Sequence, residues 1–209
     1  MIEASNLKFA YNESRTFAYP DFECKVDRPL LIKGRSGSGK TTLLHLLAGF
    51  LHPAAGSISV NNVSMTGLSS RRLDRFRGRN IGIVFQRAHF MSALTVLDNI
   101  LLAQYFSGQP LTPDKAVEMA RRLHIGHLLK MRPSEISQGE LQRVSLARAL
   151  MHAPVVVLAD EPTSSLDDEN CARVIGLLAE QSYLAGSALI VVSHDERLKK
   201  HFSHTIELR

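Results

Sequence analysis

The stretch that decides the fold is LLIKGRSGSGKTTLLHLLA, residues 30–48. It begins with the apolar run 30–32 and ends with 42–48, which has the composition of an apolar helix. Between them, residues 34–41 match the pattern G-x-x-x-x-G-K-T, in which a strand leads into a glycine-rich loop and the loop opens a helix. These flanks favour a phosphate-binding loop over a glycine- and serine-rich turn that only caps a helix.

The residue types of this loop suit a nucleotide. Glycines allow successive backbone N–H groups to surround phosphate oxygens, and the following helix N-terminus adds positive potential. Lys40 is expected to reach the β- and γ-phosphates, and the hydroxyl of Thr41 to ligate Mg²⁺. The predicted nucleotide-binding residues of the loop are Gly34, Arg35, Ser36, Gly37, Ser38, Gly39, Lys40, Thr41 and Thr42.

A second apolar run, 155–159, ends in the carboxylates Asp160 and Glu161. A buried strand with this ending can place Asp160 toward the metal ion and Glu161 toward the water that attacks the γ-phosphate. The alternative, acidic residues that only cap the next helix, is disfavoured because the phosphate loop is already present. The two elements alone do not define the function, since kinases, GTPases and motor ATPases all share them.

The rest of the chain predicts an α/β fold. Apolar, β-branched runs without polar alternation fit strands covered on both faces, as in a parallel sheet. These runs are 30–32, 81–85, 155–158 and 189–192. Alternating segments at 7–11 and 57–60 predict a small antiparallel sheet beside this core.

The segment 95–151 differs from the rest because its apolar residues have helical spacing, broken at Pro110 and Pro113. It predicts an α-helical subdomain, at about 87–152, inserted into the α/β core. The whole chain, 1–209, is expected to form a single domain.

Composition excludes several classes of protein. With 25 Lys plus Arg, 20 Asp plus Glu and a mean hydropathy of −0.03, the chain has an ordinary globular composition. No apolar run approaches the roughly 18 residues of a membrane-spanning helix, and the N-terminus lacks the features of a secretory leader. A cytoplasmic location is therefore expected. Cys24 and Cys171 lack metal-site spacing and are expected to be free thiols.

The segment ISQGELQR, residues 136–143, is predicted to start a helix, since Ser137 and Glu140 have the spacing of a capping box. A helix N-terminus that carries Ser137 and the amide of Gly139 can bind an anion. The segment resembles the signature motif LSGGQ of ATP-binding-cassette (ABC) ATPases. Gln138 replaces the first glycine and Glu140 the final glutamine. The Ser-x-Gly-Glu version is similar to the subgroup of lipoprotein-release, macrolide-efflux and cell-division ATPases.

Other positions resemble the same family, in the same order along the chain. Gln86 matches the family's Q-loop, residues 164–167 its D-loop, and His194 its switch histidine. Tyr11 lies where the family places an aromatic residue that stacks on adenine, although a core role for Tyr11 and a competing role for Phe9 stay open. The matches cover nearly the whole chain, which is therefore identified as a member of the ABC ATPase family.

The resemblance implies a RecA-like phosphate-loop core and a head-to-tail homodimer that encloses two ATP molecules. Each ATP would be held by Lys40 and Thr41 of one chain and by Ser137 and Gly139 of the other. The implied catalytic residues are Glu161, which polarises water, and Gln86 and His194, which sense the γ-phosphate. The implied ligands of Mg²⁺ are Thr41, Gln86 and Asp160. The implied nucleotide contacts outside the phosphate loop are Tyr11, Ser137, Gly139 and Asp167.

A family member of this kind hydrolyses ATP to power a separate integral-membrane permease, and would be peripheral on the cytoplasmic face of the inner membrane. In the family the surface that corresponds to 87–99 docks the membrane subunit; ordinary packing of the helical subdomain stays open as the alternative for these residues. Two alternatives stay open: an ATPase that drives a cell-envelope process without transport, and a soluble ABC ATPase that acts on nucleic acid or ribosomes. Direct nucleic-acid binding is not expected, because the arginines between 71 and 79 lack an aromatic platform.

Overall fold

The structure is a computed structural model that describes residues 1–12, 14–87, 89–164 and 166–208. Ser165 of the predicted D-loop and Ala88 of the predicted helical subdomain lie outside the described residues. The strands are β1 (Ile2–Asn12), β2 (Arg15–Ala18), β3 (Phe22–Cys24), β4 (Leu30–Gly34), β5 (Ala55–Val60), β6 (Val63–Ser64), β7 (Ile81–Val84), β8 (Val156–Asp160), β9 (Ala188–Ser193) and β10 (His204–Leu208). The α-helices are α1 (Lys40–Leu47), α2 (Ser70–Asn80), α3 (Val96–Ser107), α4 (Pro113–Arg122), α5 (Gln138–Leu150) and α6 (Asp168–Leu184).

The central sheet is parallel, with the strand order β10-β4-β9-β8-β7. Every residue of β8 and β9 is buried, which is why their sequences are apolar up to the last residue of each strand, Asp160 and Ser193. The edge strand β10 was not predicted, because its sequence HTIEL is short and has alternating exposure. This edge position explains its polar residues.

A second, antiparallel sheet has the order β2-β1-β5-β6, with β3 also paired to β1. The pairing of β1 with β5 confirms the predicted antiparallel sheet. One hydrophobic cluster joins Ile2 of β1, Ile32 of β4 and Leu43 of α1. Apolar contacts with both sheets therefore hold helix α1. These contacts also fix the phosphate loop, because the loop leads into the start of α1.

The helices α3, α4 and α5 confirm the predicted helical insertion; its bounds, 87–152, stay a prediction. Ile100 of α3 and Val144 of α5 belong to a cluster that also contains Leu31 and Val84 of the parallel sheet. The insertion therefore packs on the core through a continuous apolar contact. The wholly buried Asn99 accepts a hydrogen bond from the backbone N–H of Met91 at 2.9 Å, which orders the segment before α3.

Gly82 of β7 marks a close approach between β7 and α5. A Cβ atom at this position would lie 2.2 Å from the carbonyl oxygen of Ala149. We expect Gly82→Ala to lower the free energy of unfolding by about 1–3 kcal/mol, because a backbone oxygen can move only if α5 shifts. Urea unfolding followed by circular dichroism measures this change.

Gly176→Ala is the matched control for Gly82→Ala. Gly176 lies in the interior of α6, where an added Cβ would meet nothing within 4 Å, so alanine should be neutral or stabilising there. Equal stability of the two variants would contradict the packing described for Gly82.

Candidate active site

A cavity of about 760 Å³ opens where the neighbouring parallel strands β4, β9 and β8 reach their carboxyl ends. Ligands of open α/β sheets bind at this edge, because loops from several strands converge there. The residues that line it are Arg15, Lys33, Gly34, Arg35, Ser36, Gly37, Gly39, Lys40, Thr41, Thr42, Gln86, Glu161, His194, Glu196 and Glu207. Most of the predicted phosphate loop therefore forms one wall.

Two glycines of the phosphate loop have a backbone conformation that disfavours other residues. Gly37 and Gly39 have φ angles of 84° and 89°, in the left-handed region that other residues avoid. A Cβ atom on Gly39 would also lie 2.6 Å from the ring of Phe17. Ser38 does not line the cavity, and its buried Oγ has no hydrogen-bond partner in the described part of the chain.

Lys40 begins α1, and its side chain is 8% exposed. Its Nζ donates hydrogen bonds to the carbonyl oxygens of Gly34, at 2.8 Å, and Arg35, at 3.1 Å. The same atom lies 3.8 Å from Oε1 of Glu161. Loop carbonyls and one carboxylate thus hold the ammonium at the cavity wall, where a phosphate group can replace them.

Glu161 follows β8 with a φ of 45°, which is uncommon for a residue with a side chain. Its N–H donates to the carbonyl oxygen of Val192 at 2.9 Å. Its Oε2 accepts from the hydroxyl of Ser193 at 2.7 Å; its Oε1 accepts from the N–H of His194 at 3.1 Å and lies 2.7 Å from that residue's Nδ1. The carboxylate is therefore held against the end of β9 and faces the cavity.

Asp160 ends β8 and is buried, and its Oδ1 has no hydrogen-bond partner among the described residues. Burial raises the pKa of Asp160 above its ordinary value, and the neighbouring Glu161 carboxylate raises it further. Thr41 and Gln86 line the cavity, and Gln86 Nε2 donates to Ser164 Oγ at 3.3 Å. A free carboxylate oxygen, a hydroxyl and an amide oxygen are the hard donors that Mg²⁺ prefers.

These donors make only part of a metal site. In residues 1–12, 14–87, 89–164 and 166–208, no group of three or more His, Cys, Asp or Glu side chains could hold a metal ion. Mg²⁺ suits such a site because it usually keeps water ligands and binds substrate phosphates as well.

Tyr11 is half exposed, and its hydroxyl lies 3.2 Å from Oγ1 of Thr42 at the start of α1. The Phe9 ring meets it edge-on, with the centroids 4.8 Å apart, and the Arg15 guanidinium lies 5.1 Å from the Tyr11 centroid. Tyr11 thus neighbours the phosphate loop, while Phe9 packs against the apolar cluster beneath it.

Four cavity residues were not predicted: Arg15, Lys33, Glu196 and Glu207. Lys33 had a visible signal, because it is a charged residue in the apolar strand before the loop. Its mostly buried side chain forms an ion pair with Glu196. No sequence signal marked Glu207, since it reaches the cavity only through the pairing of β10 with β4.

Five predicted nucleotide contacts are absent from the described residues that line the cavity: Tyr11, Ser38, Ser137, Gly139 and Asp167. Ser137 is the N-cap of α5. Its N–H donates to Oε2 of Glu140 at 2.8 Å, and its hydroxyl accepts from the N–H of Glu140 at 3.4 Å, as the capping box predicts. Asp167 is the N-cap of α6 and accepts from the N–H of Asn170 at 2.8 Å. The nucleotide-binding roles of these residues stay predictions.

A model of the family described as "ABC transporter" matches residues 19–164 of the chain. The chain belongs to this family. Two curated ABC relatives are each named "Lipoprotein-releasing system ATP-binding protein LolD". One, from Hydrogenovibrio crunogenus, is 36% identical and aligns over 100% of this chain and 93% of its own length. The other, from Xanthomonas campestris pv. campestris, is 34% identical and aligns over 100% of this chain and 90% of its own length.

Solved structures agree with this assignment. A dimeric ATP-binding cassette, MJ0796, in a post-hydrolysis state with ADP and Pi bound, has a TM-score of 0.87 and 27% identity over 100% of this chain and 94% of its own. CbiO1 of Clostridium perfringens, part of an ABC transporter complex, has a TM-score of 0.87 and 25% identity over 100% and 84%.

The ABC fold predicted from the sequence is therefore confirmed, and the chain is an ATP-binding, ATP-hydrolysing ABC transporter subunit. No helix in the part of the chain that the structure describes is both long and apolar enough to span a bilayer.

Proposed function

We propose that this chain is the ATPase subunit of an ABC system of the lipoprotein-releasing type, and that it powers a separate integral-membrane permease by ATP-driven closure of a head-to-tail homodimer. The observation that carries the catalytic part is the convergence of Lys40, Glu161 and His194 on one cavity. Full-length similarity to two LolD proteins supports the type of system, and the dimeric MJ0796 cassette supports the homodimer.

ATP binding begins at the phosphate loop. The N–H groups of the loop and of the first turn of α1 surround the phosphates, while Lys40 exchanges its carbonyl contacts for phosphate oxygens. Tyr11 packs against adenine from its position beside Thr42. Thr41, Asp160 and Gln86 would hold Mg²⁺, which supplies charge neutralisation at the β- and γ-phosphates.

Hydrolysis needs a base that faces the γ-phosphate. Glu161 is held there by the Ser193 hydroxyl and the His194 N–H, and its Oε1 accepts the proton of the attacking water. His194 is 62% exposed at its side chain, so its ring is free to turn from Glu161 to the γ-phosphate. Gln86 senses the same phosphate from the segment that follows β7.

The second chain completes each site. Ser137 and the amide of Gly139 lie at the exposed N-terminus of α5, where the helix dipole favours an anion, and they contact the γ-phosphate bound to the facing chain. Asp167 lies at the exposed start of α6 and joins this interface. Closure over ATP therefore assembles both sites, and hydrolysis releases them.

The test captures the partner. Tagged Glu161→Gln protein is added with ATP and Mg²⁺ to detergent-solubilised membranes of the source cells, and the bound proteins are identified by mass spectrometry. The double variant Lys40→Ala, Glu161→Gln is the control, because it lacks the lysine that binds phosphate. ATP-dependent recovery of a polytopic membrane protein supports the proposal, whereas recovery of ribosomes or DNA-associated proteins overturns it.

A second step separates transport from mechanical work. The captured complex is reconstituted into proteoliposomes with an acylated lipoprotein, and release of the lipoprotein is followed after ATP is added. ATP-dependent release supports the lipoprotein-releasing type. ATP hydrolysis without release favours an ATPase that drives a cell-envelope process instead.

A further inference from the structure

The residues that follow the switch histidine, 195–197, are called the switch segment here. One arginine, Arg197, fixes this segment. Its Nε donates to both carboxylate oxygens of Asp195, at 2.9 and 3.0 Å, and its Nη2 donates to Asp195 Oδ2 at 2.7 Å. On the other side, Nη1 donates to Asp168 Oδ1 at 2.6 Å, and Nη1 and Nη2 both donate to the carbonyl oxygen of Leu166 at 3.2 Å. One guanidinium therefore joins the end of the D-loop to the switch segment.

Asp195 connects Arg197, through Ser193, to Glu161, which lines the cavity. Its side chain is 11% exposed and also accepts from the Thr163 hydroxyl at 3.2 Å. Its N–H donates to Ser193 Oγ at 3.1 Å, and Ser193 in turn donates to Glu161 Oε2 at 2.7 Å. A continuous chain of hydrogen bonds thus runs from Arg197 to the carboxylate of Glu161. Hydrogen bonding to Arg197 lowers the pKa of Asp195 to about 2, so Asp195 stays ionised at neutral pH.

The shape of the guanidinium suits this junction. One edge of the planar guanidinium can donate hydrogen bonds to a carboxylate, while the other edge donates to a carbonyl oxygen and a second carboxylate. The single ammonium of lysine cannot do this. Lys33 of β4 forms an ion pair with Glu196, the residue between Asp195 and Arg197. The switch segment is therefore tied to the strand of the phosphate loop and to the D-loop at once.

We propose that Arg197 is a positioning residue for ATP hydrolysis, which acts through Asp195 and Ser193 to hold the carboxylate of Glu161 in its working orientation. The proposal rests on the role assigned to Glu161 under the proposed function. Arg197 is absent from the described residues that line the cavity, so its effect belongs to the chemical step and not to nucleotide binding.

The first test is Arg197→Gln. We expect kcat for ATP hydrolysis to fall about tenfold, because a small displacement of a catalytic group is enough for such a loss. The dissociation constant for a fluorescent ATP analogue should stay within about twofold of the wild-type value. In the Glu161→Gln background the same substitution should lower the residual single-turnover rate by less than about twofold, since the group that Arg197 positions is gone.

Arg173→Gln is the matched control. Arg173 pairs with Glu169 at 2.7 Å on the exposed side of α6, so the substitution removes the same charge and a similar ion pair without touching the switch segment. Wild-type kcat in Arg197→Gln, or an equal loss in the wild-type and Glu161→Gln backgrounds, would overturn the proposal.

Arg197→Lys covers the case in which Arg197→Gln does not fold. It keeps the charge and loses the fork, so an intermediate kcat with unchanged nucleotide affinity supports positioning, whereas a full wild-type rate contradicts it. Failure of the proposed function gives a different result, since Glu161→Gln would then turn over ATP at the parental rate.

Discussion

Replacing Glu161 with glutamine is expected to lower kcat for ATP hydrolysis at least about 100-fold while ATP still binds. A positioned general base contributes roughly 10²–10⁴-fold, and an amide has the same shape but cannot take the proton. The amide oxygen can still accept from Ser193 or from the N–H of His194, so the segment should keep its fold. Binding should be kept or strengthened, because the substitution removes a negative charge 3.8 Å from Lys40 Nζ.

Phosphate release under saturating ATP measures the loss, and a fluorescent ATP analogue measures the affinity. Size-exclusion chromatography with ATP should show that Glu161→Gln accumulates as a dimer, because hydrolysis no longer reopens it. Glu180→Gln, an exposed position in α6, is the control for the change of charge. Hydrolysis by Glu161→Gln at the parental rate would show that another group is the base.

Replacing Lys40 with alanine is expected to weaken ATP binding by about 10–100-fold, with a matching loss of kcat/KM. Hydrogen bonds to a charged group contribute about 1.5–3 kcal/mol, and the ammonium is the charge that the phosphate loop places at the cavity wall. The substitution also leaves the carbonyl oxygens of Gly34 and Arg35 without this donor, so the apo loop itself should loosen.

Titration with the fluorescent ATP analogue tests this prediction, with ATP hydrolysis measured in parallel. Lys115→Ala removes the same charge from an exposed position on α4 and should bind ATP as the wild type does. Circular dichroism shows whether Lys40→Ala is folded. A folded variant with wild-type affinity would mean that Lys40 does not hold the phosphates.

The two predictions use residues that local sequence pattern identifies. A glycine-rich loop between a buried strand and a helix has few backbone solutions, so the phosphate loop and its Lys40 can be recognised from consecutive residues. The same holds for Asp160 and Glu161 at the end of an apolar strand, and for the capping box of Ser137. In each case the signal lies within a short run of consecutive residues.

The environment of these residues could not be predicted in the same way. The sequence places Glu161 after a strand, but its φ of 45° and its contacts with Ser193 and His194 depend on the pairing of β8 with β9. Likewise, Glu207 reaches the cavity because β10 pairs with β4. Neither pairing is marked by a local pattern, since a hydrophobic run indicates that a strand is buried but does not indicate which strand lies beside it.

By itself, then, the sequence determined the α/β class, the phosphate loop, the two carboxylates after β8 and the family, because these follow from short-range sterics and from the order of motifs. Only the tertiary structure decided that Lys33 meets Glu196, and that Arg197 joins Leu166 and Asp168 to Asp195. Such contacts join residues far apart in the chain, and their formation depends on which strands and helices become neighbours when the apolar surfaces are buried.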